Sequence, residues 1–131
     1  MQSLASRLEL ELPALPDSVP TARHAAARLA TEVGADELDV KIAVSEAVGN
    51  VVVHAYRDGP PGTIGVRGTV EDDKLVIVIA DDGIGMSPNP DSPGLGFGLP
   101  LIGQVVEDLH VEAGPEGTRL TMIFALSQSG Y

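Results

Sequence analysis

The sequence predicts an α+β fold, a two-layer α/β sandwich in which a mixed, mainly antiparallel sheet carries helices on one face. Three observations lead there. Two stretches alternate apolar and polar residues as half-buried strands do, "RLELEL" at 7–12 and "TIGVRGTV" at 63–70. Between them, two segments repeat apolar residues at helical spacing. The resulting order, β α α β β, loop, α β β, gathers the helices on one side of the strands.

The first strand puts Leu8, Leu10 and Leu12 on one face and stops at Pro13 and Pro16. Asp17 or Ser18 can cap the first helix, whose stripe is Ala22, Ala26, Leu29 and Val33 and whose end is Gly34. Asp36 offers the next N-cap, and Leu38, Ile42, Ala47, Val51 and Ala55 mark the stripe of a second helix. That stripe outweighs the β-propensity of the triple valine in "SEAVGNVVVHAY", a matter of a few tenths of a kcal/mol per residue. "RDGPPG" breaks the chain, and residues 63 to 80 form a hairpin turned by "EDDK", with "LVIVIA" as a central strand. A glycine and proline segment fills 81 to 98, a short helix runs from Leu99 to Asp108, and "GPEG" turns a last hairpin of "HVEA" and "TRLTMIFAL".

At 131 residues one domain, 1–131, is expected, large enough to bury roughly two thirds of its unfolded surface. There is no cysteine, which removes disulfides, thiolate metal sites and cysteine nucleophiles, and fits a reducing, cytoplasmic setting. No apolar run approaches membrane-spanning length, so no membrane association is expected. A net charge of −11 repels nucleic-acid phosphates at long range, and aromatics at 3% leave few platforms for stacking bases. A small anionic ligand held by backbone amides and a divalent cation remains open.

Three stretches could carry chemistry. In "ADDGIGM", Asp81 stands at a strand end before Gly83 and Gly85, where a carboxylate accepts hydrogen bonds from a planar ligand and the backbone comes close to it. In "SPGLGFGLP", Gly94, Gly96 and Gly98 alternate ahead of a helix, a pattern whose amides can hold phosphate oxygens. On the second helix Glu46 and Asn50 lie one turn apart, a carboxylate base beside an oxygen ligand for Mg²⁺. Taken singly, each stretch also reads as a turn-rich loop or a solvated helix face. His54 extends the helical row and reads as a structural residue near a helix end.

Together and in this order the motifs resemble the GHKL superfamily of ATPases and kinases. "ExxxNxxxHAY" (Glu46, Asn50, His54 to Tyr56) is similar to its N-box. "DxGxG" (Asp81, Gly83, Gly85) and "GxGxGL" (Gly94, Gly96, Gly98, Leu99) resemble its two glycine boxes, and Gly117 with Thr118 its final "GT". Among its members the chain looks most like the small bacterial anti-sigma factor serine/threonine kinases. That resemblance implies ATP and Mg²⁺ binding, sequestration of a sigma factor, phosphorylation of an anti-sigma factor antagonist, and a homodimer.

Under this resemblance Asp81 would favour adenine, whose exocyclic amine is a donor, with Thr118 supporting it through water. Asn50 would ligate Mg²⁺, and Glu46 would orient or deprotonate the acceptor hydroxyl. The nucleotide-binding set is completed by Gly83, Gly85, Met86, Gly94, Gly96, Phe97, Gly98 and Leu99. A lid of about residues 86–93 carries prolines at 88, 90 and 93 and no Arg or Lys, so the transferring phosphoryl group needs a cation from Mg²⁺, a partner, or an arginine elsewhere such as Arg119. Arg23 and Arg28 on the first helix either meet acidic partner groups or form a solvated face. Two other functions stay open: a non-catalytic module whose partner surface is ordered by ATP, and the catalytic domain of a histidine kinase.

Overall fold

A computed structural model describes residues 7–55, 62–82, 99–114 and 117–127 of the chain. The order is β1 (Leu8–Pro13), α1 (Ser18–Val33), α2 (Glu37–Asn50) continued by a π-helical turn at Val51–Ala55, β2 (Thr63–Glu71), β3 (Lys74–Asp81), α3 (Leu99–Val105), β4 (Asp108–Gly114) and β5 (Gly117–Ala125). The strands form one five-stranded sheet in the order β1-β2-β3-β5-β4, and all four pairings are antiparallel. No helix among the described residues is long and apolar enough to cross a membrane.

Local chemistry accounts for most of the boundaries. Gly34 takes a left-handed conformation, φ 90°, and its N–H bonds back to the Ala30 carbonyl, closing α1 as its sequence indicates. Asp36 caps α2 by accepting from the Asp39 N–H at 2.9 Å. At the start of α1 the expected side-chain cap is not made: Asp17 is helical and makes no capping bond, while the Ser18 hydroxyl donates to the Pro13 carbonyl and ties the helix to the end of β1. The β2–β3 turn places Asp72 and Asp73 at φ 52° and 64°, the two left-handed residues of a type I′ hairpin, which aspartate tolerates better than most side chains.

The core lies between the helices and one face of the sheet. From the sheet it takes Ile64, Val66, Leu75, Ile77, Ile79, Leu120, Met122 and Phe124; α1 adds Ala22, Ala26, Leu29 and Ala30. α2 departs from the expected stripe. Its buried row is Val40, Ala43, Val44, Ala47, Val48 and Val51, while Ile42 is half-buried and Leu38 is 63% exposed. That row follows the i, i+3, i+4, i+7 spacing of one helix face; the expected stripe shares Ala47 and Val51 with it but takes Leu38 and Ile42 from the opposite side of a helix that touches α1, α3, β3 and β5. α3 ends at Val105 rather than Asp108, because the Glu107 N–H bonds to the Ile123 carbonyl at 2.7 Å and starts the pairing of β4 with β5.

β2 passes close under α1 at Gly68, where the nearest atom is the end of the Leu29 side chain. A Cβ added at Gly68 would stand 2.5 Å from Leu29 Cδ2 and 3.3 Å from Leu8 Cβ. Gly68→Ala is therefore expected to lower stability by about 1–2 kcal/mol through overpacking, read as a fall of several degrees in melting temperature.

Candidate functional site

The described residues contain four buried polar side chains: Ser18, Asn50, Asp81 and Thr118. Ser18 is explained by its bond to Pro13. The other three are the helix amide, the strand-end carboxylate and the "GT" threonine named by the sequence. Burial of such groups costs free energy unless they are satisfied, so their position in the helix–sheet layer calls for a reason.

Asp81 is the last residue of β3 and 7% exposed. It continues the inward row Leu75, Ile77, Ile79, so a carboxylate terminates an otherwise apolar file. Its neighbours across the ladder are Ile64 of β2 and Thr118 of β5. Thr118, 2% exposed, begins the inward row of β5, which continues through Leu120, Met122 and Phe124. The two polar side chains thus stand side by side at one end of the sheet, on its helix-facing side. None of Asn50, Asp81 and Thr118 is without an interaction partner.

Gly117 makes this junction possible. Its φ is 128°, and a Cβ there would fall 1.9 Å from the Asp81 carbonyl oxygen. Only glycine permits β5 to begin this close to the end of β3. The sequence offered Gly117 as half of a motif and gave no hint that its part is steric.

Asn50, 5% exposed, ends the α-helical part of α2, and this helix packs on β3, β5 and α3. Glu46 lies one turn earlier and is half-buried. Beside it, Arg23 of α1 is half-buried and donates to the Ser45 hydroxyl at 3.5 Å, while Arg28 is exposed. Farther up α2, Asp39 is held above the usual carboxylate range by desolvation and then by the Asp36 carboxylate; it takes no part in this end of the helix. α3 starts at Leu99, directly after the alternating glycines, and its Ile102 is buried in the core.

Arg119 is a correction. Residues alternate along β5, so with Thr118 inward Arg119 points to the opposite face of the sheet, where it lies 4.0 Å from Glu112. It is not a cation for chemistry at the Asp81 end. Gly83, Gly85, Met86, Gly94, Gly96, Phe97, Gly98, Tyr56 and the 86–93 lid lie outside the described residues, as do the side chains of His54, Ala55 and Leu99.

Among the described residues no three His, Cys, Asp or Glu side chains gather as a metal cage. The donor set does suit Mg²⁺ delivered with a nucleotide: Asn50 offers one buried amide oxygen, and phosphate oxygens and water fill such a shell.

Comparison with known proteins agrees with this fold. The chain is 37% identical to the serine-protein kinase RsbW of Bacillus licheniformis, over 73% of this chain and 62% of that protein. It is 28% identical to the anti-sigma F factor of Bacillus velezensis, over 96% and 97% of the two chains. The match to the RsbW of Bacillus subtilis, at 38% identity, spans 54% of that protein, so the chain covers little more than half of such relatives. Among solved structures, the RsbU and RsbW domains of a Mycobacterium tuberculosis protein superpose with a TM-score of 0.70 at 25% identity, covering 92% of this chain and 33% of that one. The profile of the histidine kinase-like ATPase domain matches residues 12–124, from the end of β1 almost to the end of β5, and the chain belongs to that family.

Proposed function

We propose that this chain is an ATP-dependent serine/threonine protein kinase that phosphorylates an anti-sigma factor antagonist and sequesters a sigma factor, acting with Mg²⁺, in the cytoplasm, as a homodimer. The observation that carries this reading is the buried Asp81 carboxylate in register with Thr118 at the end of the sheet. A lone inward acid there suits the exocyclic amine of adenine and opposes the carbonyl of guanine. The relatives named as serine-protein kinases and anti-sigma factors support the choice of acceptor and partner.

The chain's own residues then divide the work. Asp81 and Thr118 hold the base, the glycine segments 83–85 and 94–98 supply amides to the phosphates, and Asn50 fixes the metal. Bound Mg²⁺ supplies charge neutralisation at the polyphosphate. Glu46 receives the proton of the acceptor hydroxyl as its oxygen bonds to the γ-phosphorus, and the bond to the β–γ bridging oxygen breaks to release ADP.

One observation favours a second reading, a regulatory module that binds ATP without turning it over. The segment 86–93 has no Arg or Lys, and Arg119 faces away from the site. Phosphate transfer from γ-labelled ATP to a candidate antagonist separates the two. Glu46→Gln is expected to slow transfer by about 10²–10⁴-fold while leaving ATP affinity within about twofold. Equal transfer removes Glu46 as the base, and ATP-dependent partner capture without any transfer by the unaltered protein selects the module.

A further inference from the structure

α2 carries a glycine, Gly49, where nothing among the described residues asks for one. Its backbone is helical, without the positive φ that glycine alone adopts freely. A Cβ added there would meet no described atom within 4 Å, in contrast with the 1.9 Å approach at Gly117. Inside a helix glycine gives up stability that alanine keeps, so the fold would be better served by a side chain.

The position of Gly49 on the helix says what the missing side chain leaves room for. Successive residues of an α-helix turn by about 100°, so Asn50 lies about 40° from Glu46 in one sense and Gly49 about 60° from it in the other. Asn50 is buried, Glu46 is half-buried, and Gly49 lies on the side opposite the buried row of the helix. The assigned base therefore stands at a border, with the metal ligand on one flank and a bare stretch of helix on the other. Ile42 and Val53 share the Gly49 side, and Val53 is 61% exposed, an apolar contact where a helix turned to solvent is ordinarily polar.

We propose that Gly49 is a specificity-determining residue for the acceptor: the main chain of the acceptor protein passes over it as a serine or threonine hydroxyl reaches Glu46. The proposal rests on the kinase reading above and names where the second substrate lies. Nucleotide phosphates come to the Asn50 flank with the metal, so a hydroxyl bonded to Glu46 and in line with the γ-phosphorus enters from the Gly49 flank. Serine and threonine hydroxyls are two bonds from their own main chain. The acceptor backbone must then run close against the helix that holds the base, and a side chain at 49 would hold it off. The same closeness sets the acceptor class, since a tyrosine hydroxyl, at the far end of a ring, needs no such approach. Val53 gives the acceptor segment an apolar contact one turn beyond.

The test is steady-state transfer from γ-labelled ATP to an antagonist protein that the unaltered chain phosphorylates, with a thermal melt and an ATP titration of each variant. Gly49→Ala is expected to melt about 3 °C higher than the parent while the KM for the acceptor protein rises about tenfold. Its kcat at saturating acceptor and its ATP affinity should stay within about twofold. Gly49→Gln should raise that KM about a hundredfold. Gly103→Ala is the control: this glycine of α3 also has no described atom within 4 Å of an added Cβ, and its replacement should raise the melting temperature without moving the KM. A Gly49→Ala protein that melts lower or binds ATP more weakly shows that the glycine serves the chain's own packing. One that melts higher and uses the acceptor as well as the parent shows that nothing passes over it. Either result overturns the proposal and leaves the kinase reading standing, whereas an unaltered chain that transfers phosphate to no antagonist overturns the kinase reading itself.

Discussion

Asp81→Asn is expected to weaken ATP binding about a hundredfold, a loss near 2.7 kcal/mol, without lowering the melting temperature of the nucleotide-free protein. The carboxylate offers only acceptors to the ligand, whereas the amide turns one position into a donor that opposes the donor on adenine. Hydrogen bonds to a charged group contribute about 1.5–3 kcal/mol, so the loss is large for one atom's change. The fold gains in the exchange, since a buried carboxylate is costlier to dehydrate than an amide. Calorimetric titration with Mg²⁺-ATP and Mg²⁺-GTP, with a thermal melt of each protein, tests both halves. The preference for ATP over GTP should narrow, and ATP affinity equal to that of the parent would exclude Asp81 as the adenine contact.

Gly117→Ala attacks the same corner from the backbone and should behave differently. The added methyl would lie 1.9 Å from the Asp81 carbonyl oxygen and 2.9 Å from Asp82 Cα, at a φ of 128° that L side chains avoid. Neither strand can yield without disturbing the ladder between Asp81 and Thr118. A stability loss of about 3 kcal/mol or more is expected, measured by urea denaturation, accompanied by weaker ATP binding because the carboxylate is displaced. Asp81→Asn separates binding from stability; Gly117→Ala should lose both. A substituted protein as stable as the parent would mean that β5 begins farther from β3 than described.

Much of this architecture was legible one residue at a time. Strict alternation marked β1 and β2, the Asp-Asp pair marked their neighbour's turn, and Gly34 and Asp36 marked where one helix ends and the next begins. Asp81 could be placed at a strand end because the apolar run before it stops abruptly. The facing row of α2 stood in the sequence at Val40, Ala43, Val44, Ala47, Val48 and Val51, but the larger apolar side chains Leu38 and Ile42 lie on the opposite side and drew the expected stripe away from it. The direction of Arg119 was available in the alternation of "TRLTMIF" but follows only once Thr118 is known to point inward. Which side chains share a row on the helix-free face of the sheet could not be found locally at all. β5 enters between β3 and β4, which brings Arg119 into one row with Glu11, and that strand order depends on how α3 carries the chain across.

The two outermost strands have one further effect. β1 and β4 leave backbone amides and carbonyls unpaired along the rims of the described sheet, and such rims recruit strands from other molecules unless something deters them. Here β1 is interrupted by Glu9, Glu11 and a closing proline, and β4 by Asp108, His110 and Glu112. Charged borders of this kind deter edge-to-edge pairing between copies, and with it open-ended fibre growth at high concentration.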